Sequence, residues 1–138
     1  MSWKKYCLEA LDEEKMFENA MHRSRFKELF DCYKNYPFFT KGLCKCIYLS
    51  AWDDEHFCIM VEMLNELSLG HEEDTTEMSN KGDSLLEEQT GDDYYVFQLS
   101  IALLNDLSFH LPESVSLSPD TRYLIRRALQ TSEIIDQL

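Results

Sequence analysis

The stretch DDYYVFQLSIALLNDLSFH, residues 92–110, decides the fold class. Val96, Phe97, Leu99, Ile101, Leu103, Leu104 and Leu107 surround a helical axis on nearly every side. A strand with one buried face would alternate with period two, and this segment does not. A helix that is apolar all round belongs at the centre of a bundle. Asp92 or Asp93 is placed to cap its start and Pro112 to close it, so the sequence predicts a central helix over about 93–109.

The same spacing extends outward. In residues 2–35, Ser2 is a candidate cap and Phe26, Leu29, Phe30 and Tyr33 form one apolar stripe. Phe17, Ala20 and Met21 form another, out of phase with the first across residues 22–25. This predicts one long helix that turns its buried face, or two helices meeting near Ser24. Pro37 ends the segment. Thr40 caps a short helix to Ala51 with Leu43 and Ile47 inside. Asp53 caps a helix over about 54–69, with Phe57, Met60, Val61, Leu64 and Leu67 as its stripe and Gly70 as its stop. Ser118-Pro119 starts a last helix that runs to about Asp136. The expected fold is all-α, a single compact bundle of five or six helices over 1–138.

Residues 53–70 also match residues 93–110 at an offset of 40, with Asp53/Asp93, Phe57/Phe97, Leu64/Leu104, Asn65/Asn105, Leu67/Leu107 and Ser68/Ser108 identical. That period suits a helical-pair repeat, and the pattern marks a weak helical duplication. Equivalent packing of two leucine-rich, capped helices produces the same matches.

Across 138 residues the formal charge is −13, with 44% hydrophobic and 28% charged residues. The balance is that of a soluble globular chain. A free-standing nucleic-acid binder carries the opposite sign, so no direct nucleic-acid partner is expected. Four glycines, none close together, leave no phosphate-cradling loop. No apolar run approaches the length of a membrane span, and Glu9, Asp12, Glu13 and Glu14 interrupt any signal core. A cytoplasmic location without a membrane partner follows as the expectation. Five cysteines, an odd number gathered in the first half, fit that compartment as free and mostly buried thiols.

The charge is segregated. Residues 1–50 carry a net +2, residues 51–100 a net −13 and residues 101–138 a net −2. The imbalance runs from Asp53 to Asp93, and residues 71–91 read as an acidic, partly flexible loop.

Catalytic and metal chemistry find little support. Cys44-Lys45-Cys46 and His56-Phe57-Cys58 contain zinc-ligating types. Residues two apart on a helix point about 200° apart, so neither motif grips one ion. His22, His56, His71 and His110 are scattered, with no nucleophile motif beside them. The expectation is no metal, no cofactor and no enzymatic activity. An enzyme built on dispersed carboxylates or a thiol is the weakest reading.

Binding is the stronger one. Asp53, Asp54, Glu55, Glu62 and Glu66 are held by a helix, and Glu72, Glu73 and Asp74 extend the field. Glu55, Glu62 and Glu66 fall near one helix face. Such a surface suits a protein with a basic groove, and the expected function is an inhibitor or decoy of a nucleic-acid-handling protein. Bacterial immunity proteins and anti-CRISPR inhibitors share these bulk properties, an analogy of class and not of residues. The alternative is a helical adaptor or assembly subunit that binds through apolar helix faces. Its anchors would be Tyr33, Tyr36, Phe38 and Phe39, which crowd around Pro37.

Overall fold

The computed structural model describes residues 3–68, 92–110 and 116–138. These form six helices: α1 (Lys4–Glu13), α2 (Ala20–Tyr33), α3 (Lys41–Ser50), α4 (Asp54–Ser68), α5 (Asp92–Leu104) and α6 (Pro119–Asp136). No strand occurs among the described residues. The expected all-α class is therefore the observed one.

Three predicted starts are made by the expected side chains. Thr40 Oγ1 accepts from the Leu43 N–H at 3.1 Å. Asp53 Oδ1 accepts from the His56 N–H at 2.8 Å. Ser118 Oγ accepts from the Thr121 N–H at 3.2 Å, with Pro119 in the first turn. Each satisfies one of the N–H groups that a helix start leaves open. The candidate cap Ser2 and the stop Gly70 lie outside the described residues.

The first segment is two helices, and they part at residues 14–19 rather than near Ser24. Met16 N–H bonds to the Leu11 carbonyl and Lys15 N–H to the Asp12 carbonyl, the two closures of a Schellman stop. Lys15 takes the left-handed position that this stop requires, with φ 56°. Asn19 then caps α2, its Oδ1 accepting from His22 N–H at 2.9 Å. The α5 stop repeats the device. Leu107 N–H bonds to the Ala102 carbonyl and Asp106 N–H to that of Leu103, with Asp106 at φ 56°. The helix therefore ends at Leu104, not near Phe109.

The bundle centre is α3, not the helix over 93–109. Every residue from Leu43 to Ala51 is buried, and α3 packs against α2, α4, α5 and α6. α5 buries Val96, Phe97, Leu99, Ala102 and Leu103 but leaves Tyr94 48% exposed. Gly42 sets the α3–α5 approach: a Cβ there would stand 2.5 Å from the Leu104 carbonyl oxygen and 2.9 Å from that of Leu103. The C-terminal end of α6 closes onto the start of α3. Lys45, only 4% exposed, reaches Asp136 Oδ1 at 2.6 Å, and Lys41 Nζ bonds to the carbonyls of Asp136 and Leu138. Cations here also complement the negative end of the α6 dipole.

The two matching segments fold alike only in part. Asn65, Leu67 and Ser68 are helical, whereas Asn105, Leu107 and Ser108 follow the end of α5.

Candidate functional site

The acidic candidates begin at the α4 cap. Asp53 bonds both the His56 N–H and the His56 ring, whose Nδ1 lies 2.7 Å from Oδ2. Partial burial opposes the charged carboxylate. The hydrogen bonds and charge of His56, with the nearby Arg25, outweigh it and hold Asp53 below the usual carboxylate range. Asp53 is thus engaged in starting the helix. Arg25 in turn reaches the Ala51 and Trp52 carbonyls at 3.2 and 3.4 Å, fastening α2 to the end of α3.

Beyond the cap, α4 buries Met60 and Leu64 and exposes Glu55 and Glu62. The helical register places positions 55, 62 and 66 within an arc of about 40° and along about 16 Å of axis. The side chains of Asp54 and Glu66 lie outside the described residues, as do Glu72, Glu73 and Asp74 with the whole of 71–91. Among the described side chains of α4, the candidate acidic face is therefore Glu55 and Glu62.

The aromatic corner divides in two. Tyr36 and Phe38 stack with ring centroids 5.0 Å apart, and Tyr33 stands 5.8 Å from Tyr36. Tyr36 is 39% exposed. Phe39 turns inward: it is buried, meets Phe30 edge to face at 5.4 Å, and carries Trp3 against its ring at 6.2 Å. Phe39 pins the corner to the core, and Tyr33, Tyr36 and Phe38 form the surface cluster.

Sequence spacing did not single out the polar interior around His22. His22 is buried, its Nδ1 accepting from the Glu18 N–H at 3.1 Å and its Nε2–H donating to the Tyr48 carbonyl at 2.9 Å. One partner is a donor and the other an acceptor, so the ring is neutral with its proton on Nε2. Burial lowers its pKa, against the raising influence of the Tyr48 carbonyl and Glu18, while Arg25 and Arg127 lower it further. Tyr48 hydroxyl donates to the Met16 carbonyl at 2.5 Å, holding the α1–α2 turn. Phe17, Tyr48 and Trp52 surround the His22 ring at centroid distances of 5.4, 4.6 and 4.9 Å. These groups satisfy one another and organise the fold. The signal that points to them is Asn19 three residues before His22, a cap spacing inside what reads as one long helix.

On α6, Arg126 and Arg127 lie 5.3 and 5.9 Å from the centroid of the Tyr123 ring, which in turn abuts Trp52. Among the described residues no three His, Cys, Asp or Glu side chains gather so as to hold a metal ion. None of the described helices is long and apolar enough to cross a membrane. No protein-family model matches the chain, and no curated protein or solved structure matches it either.

Proposed function

We propose that this chain is a protein-binding protein whose acidic α4 face meets a basic surface, acting in the cytoplasm as an inhibitor or decoy of a nucleic-acid-handling partner. One observation carries the reading: Glu55 and Glu62 stand exposed on the same face of an ordered helix. In sequence that helix runs directly into residues 69–91, which carry a further net −6. Grooves that receive phosphates are lined with lysine and arginine, and carboxylates fixed on a helix occupy them by charge without base readout. Fixing the carboxylates in advance lowers the ordering cost of binding.

The test is capture from the native host by the wild-type chain and by Glu55→Lys/Glu62→Lys/Glu66→Lys. The reading expects a partner that is held at low salt, released by high salt, displaced by duplex DNA and lost in the triple variant. A partner held equally at high salt and by the triple variant overturns it. The adaptor reading then takes its place, carried by the stacked and partly exposed Tyr36–Phe38 pair, and Tyr36→Ala should abolish capture.

A further inference from the structure

Three of the five cysteines are buried, and two of these meet. Cys7 Sγ on α1 and Cys44 Sγ on α3 lie 3.7 Å apart, and both residues are 0% exposed. Cys46, on the same helix as Cys44, turns away and donates to the Ser100 carbonyl at 3.1 Å. Cys32 and Cys58 are exposed. Only Cys7 and Cys44 are thus shown in sulfur–sulfur contact.

We propose that Cys7 and Cys44 form a reversible thiol–disulfide site whose oxidant is a low-molecular-weight disulfide, and whose closure locks α1 onto α3. The two sulfurs must approach from 3.7 Å to a covalent length of about 2.05 Å, a change within reach of side-chain rotation and a small helix adjustment. The reaction balances in two exchanges. One protein thiol loses its proton, and its sulfur attacks the small disulfide; the expelled small thiolate takes up a proton. The second protein thiol loses its proton in turn and attacks the mixed disulfide, expelling the second small thiol. Two protein thiols and one small disulfide become one protein disulfide and two small thiols, and two electrons pass to the oxidant.

The packing decides when this happens. With both sulfurs sealed from solvent, the oxidant reaches them only when α1 lifts. Burial also raises the Cys44 thiol well above its ordinary pKa, with the Cys7 thiol hydrogen bond reinforcing the shift, so the docked Cys44 thiol is a poor nucleophile. α1 is the element suited to lift: it is ten residues long, buries only Cys7 and Leu11, and packs mainly on α6. Each sulfur covers the other, so one opening exposes both. The closed bond then joins residues 37 apart and restrains the unfolded chain.

The experiment uses the full chain carrying Cys32→Ser and Cys58→Ser, incubated with oxidised glutathione. Intact mass should fall by two hydrogens, digestion should link the Cys7 and Cys44 peptides, dithiothreitol should reverse both, and Tm should rise on closure. Adding Cys46→Ser should leave the product unchanged. Leu11→Ala, which loosens α1, should speed closure about tenfold or more, since losing a buried leucine costs at least the 1.4 kcal/mol equivalent to a factor of ten. Three results overturn the proposal: a stable glutathione adduct on either cysteine, a bond to Cys46, or both thiols surviving after the α1 amides have fully exchanged. An unchanged rate in Leu11→Ala overturns the gating by α1.

Discussion

α3 and α4 are neighbours in the chain, separated only by residues 51–53, yet they handle polar groups in opposite ways. α3 buries all its polar side chains from Leu43 onward and gives each a partner. Lys45 meets Asp136, the Tyr48 hydroxyl meets the Met16 carbonyl, Ser50 bonds back to the Ile47 carbonyl, and Cys46 meets Ser100. α4 turns Met60 and Leu64 inward and sends Glu55 and Glu62 outward. A buried polar group left without a partner costs more than its bond returns, so the polar groups of α3 specify the fold. Exposed carboxylates add little to folding, so Glu55 and Glu62 are open to a role other than structure. Polar side chains mean structure in one helix and candidate function in the next.

The largest expected effect tests the structural half of that contrast. Ile47→Ala removes a side chain that is 0% exposed at the centre of the bundle. It should cost roughly 2–5 kcal/mol in urea unfolding. A loss below about 1 kcal/mol would mean that α3 is not the core. Gly42→Ala comes next. Its new methyl group would meet two backbone carbonyls of α5, which cannot rotate aside, so α3 and α5 must separate. The expected cost is roughly 1–3 kcal/mol. A neutral outcome would show that the α3–α5 approach is looser than described.

The interior between α2 and α3 also predicts a dependence on pH. His22 is neutral in the fold, its pKa lowered by burial and by Arg25 and Arg127, against Glu18 and the Tyr48 carbonyl. The unfolded chain takes up the proton near the ordinary value of about 6.5. Stability from the neutral ring is therefore complete above that pH and is lost as pH falls toward the folded pKa. Asp53 at the head of α4 behaves differently. Its folded pKa is lowered, so its contribution is present above the ordinary carboxylate value and is lost only in stronger acid. Thermal unfolding should weaken in two steps as pH falls. His22→Leu should flatten the upper step and Asp53→Asn the lower one. A single step untouched by His22→Leu would remove His22 from the account.

Much of this was legible in the sequence, for identifiable reasons. Thr40, Asp53 and Ser118 read as caps because their signal is local, one side chain and one N–H three residues on. The helix ends at Lys15 and Asp106 were not legible, because a Schellman stop is normally marked by glycine and here is not. The central role of α3 was hidden by Lys45, Tyr48 and Ser50, which read as surface residues until their distant partners are known. Residues 92–110 read as central because apolar content was visible and the early stop was not. The Glu55–Glu62 face was legible from helical spacing alone, whereas the inward turn of Phe39 depends on Trp3 and Phe30. The two unmarked stops carry a prediction of their own. Lys15→Gly and Asp106→Gly should each stabilise by about 0.5–1 kcal/mol, since the left-handed conformation is strained for residues with a Cβ and open to glycine. Destabilisation at both would mean that neither stop has the described geometry.

The smallest effect on stability is the most telling for function. Glu55→Gln/Glu62→Gln neutralises two exposed carboxylates without changing their shape. Surface changes of this kind shift unfolding by no more than about 0.5 kcal/mol. Neutralising Glu62 relieves repulsion within a helix segment that holds Asp53, Asp54, Glu55, Glu62 and Glu66 and no lysine or arginine, while neutralising Glu55 in the first turn of α4 gives up a favourable interaction with the helix dipole, so the two contributions offset. Association with a basic partner should slow in the same variant, most clearly at low salt, because the lost charges steer the encounter. The contrast between α3 and α4 then becomes quantitative: Ile47→Ala lowers stability and leaves the acidic face intact, while the glutamine pair leaves stability intact and slows association. If the glutamine pair instead unfolds the chain by several kcal/mol, Glu55 and Glu62 belong to the fold, and the distinction between the two helices collapses.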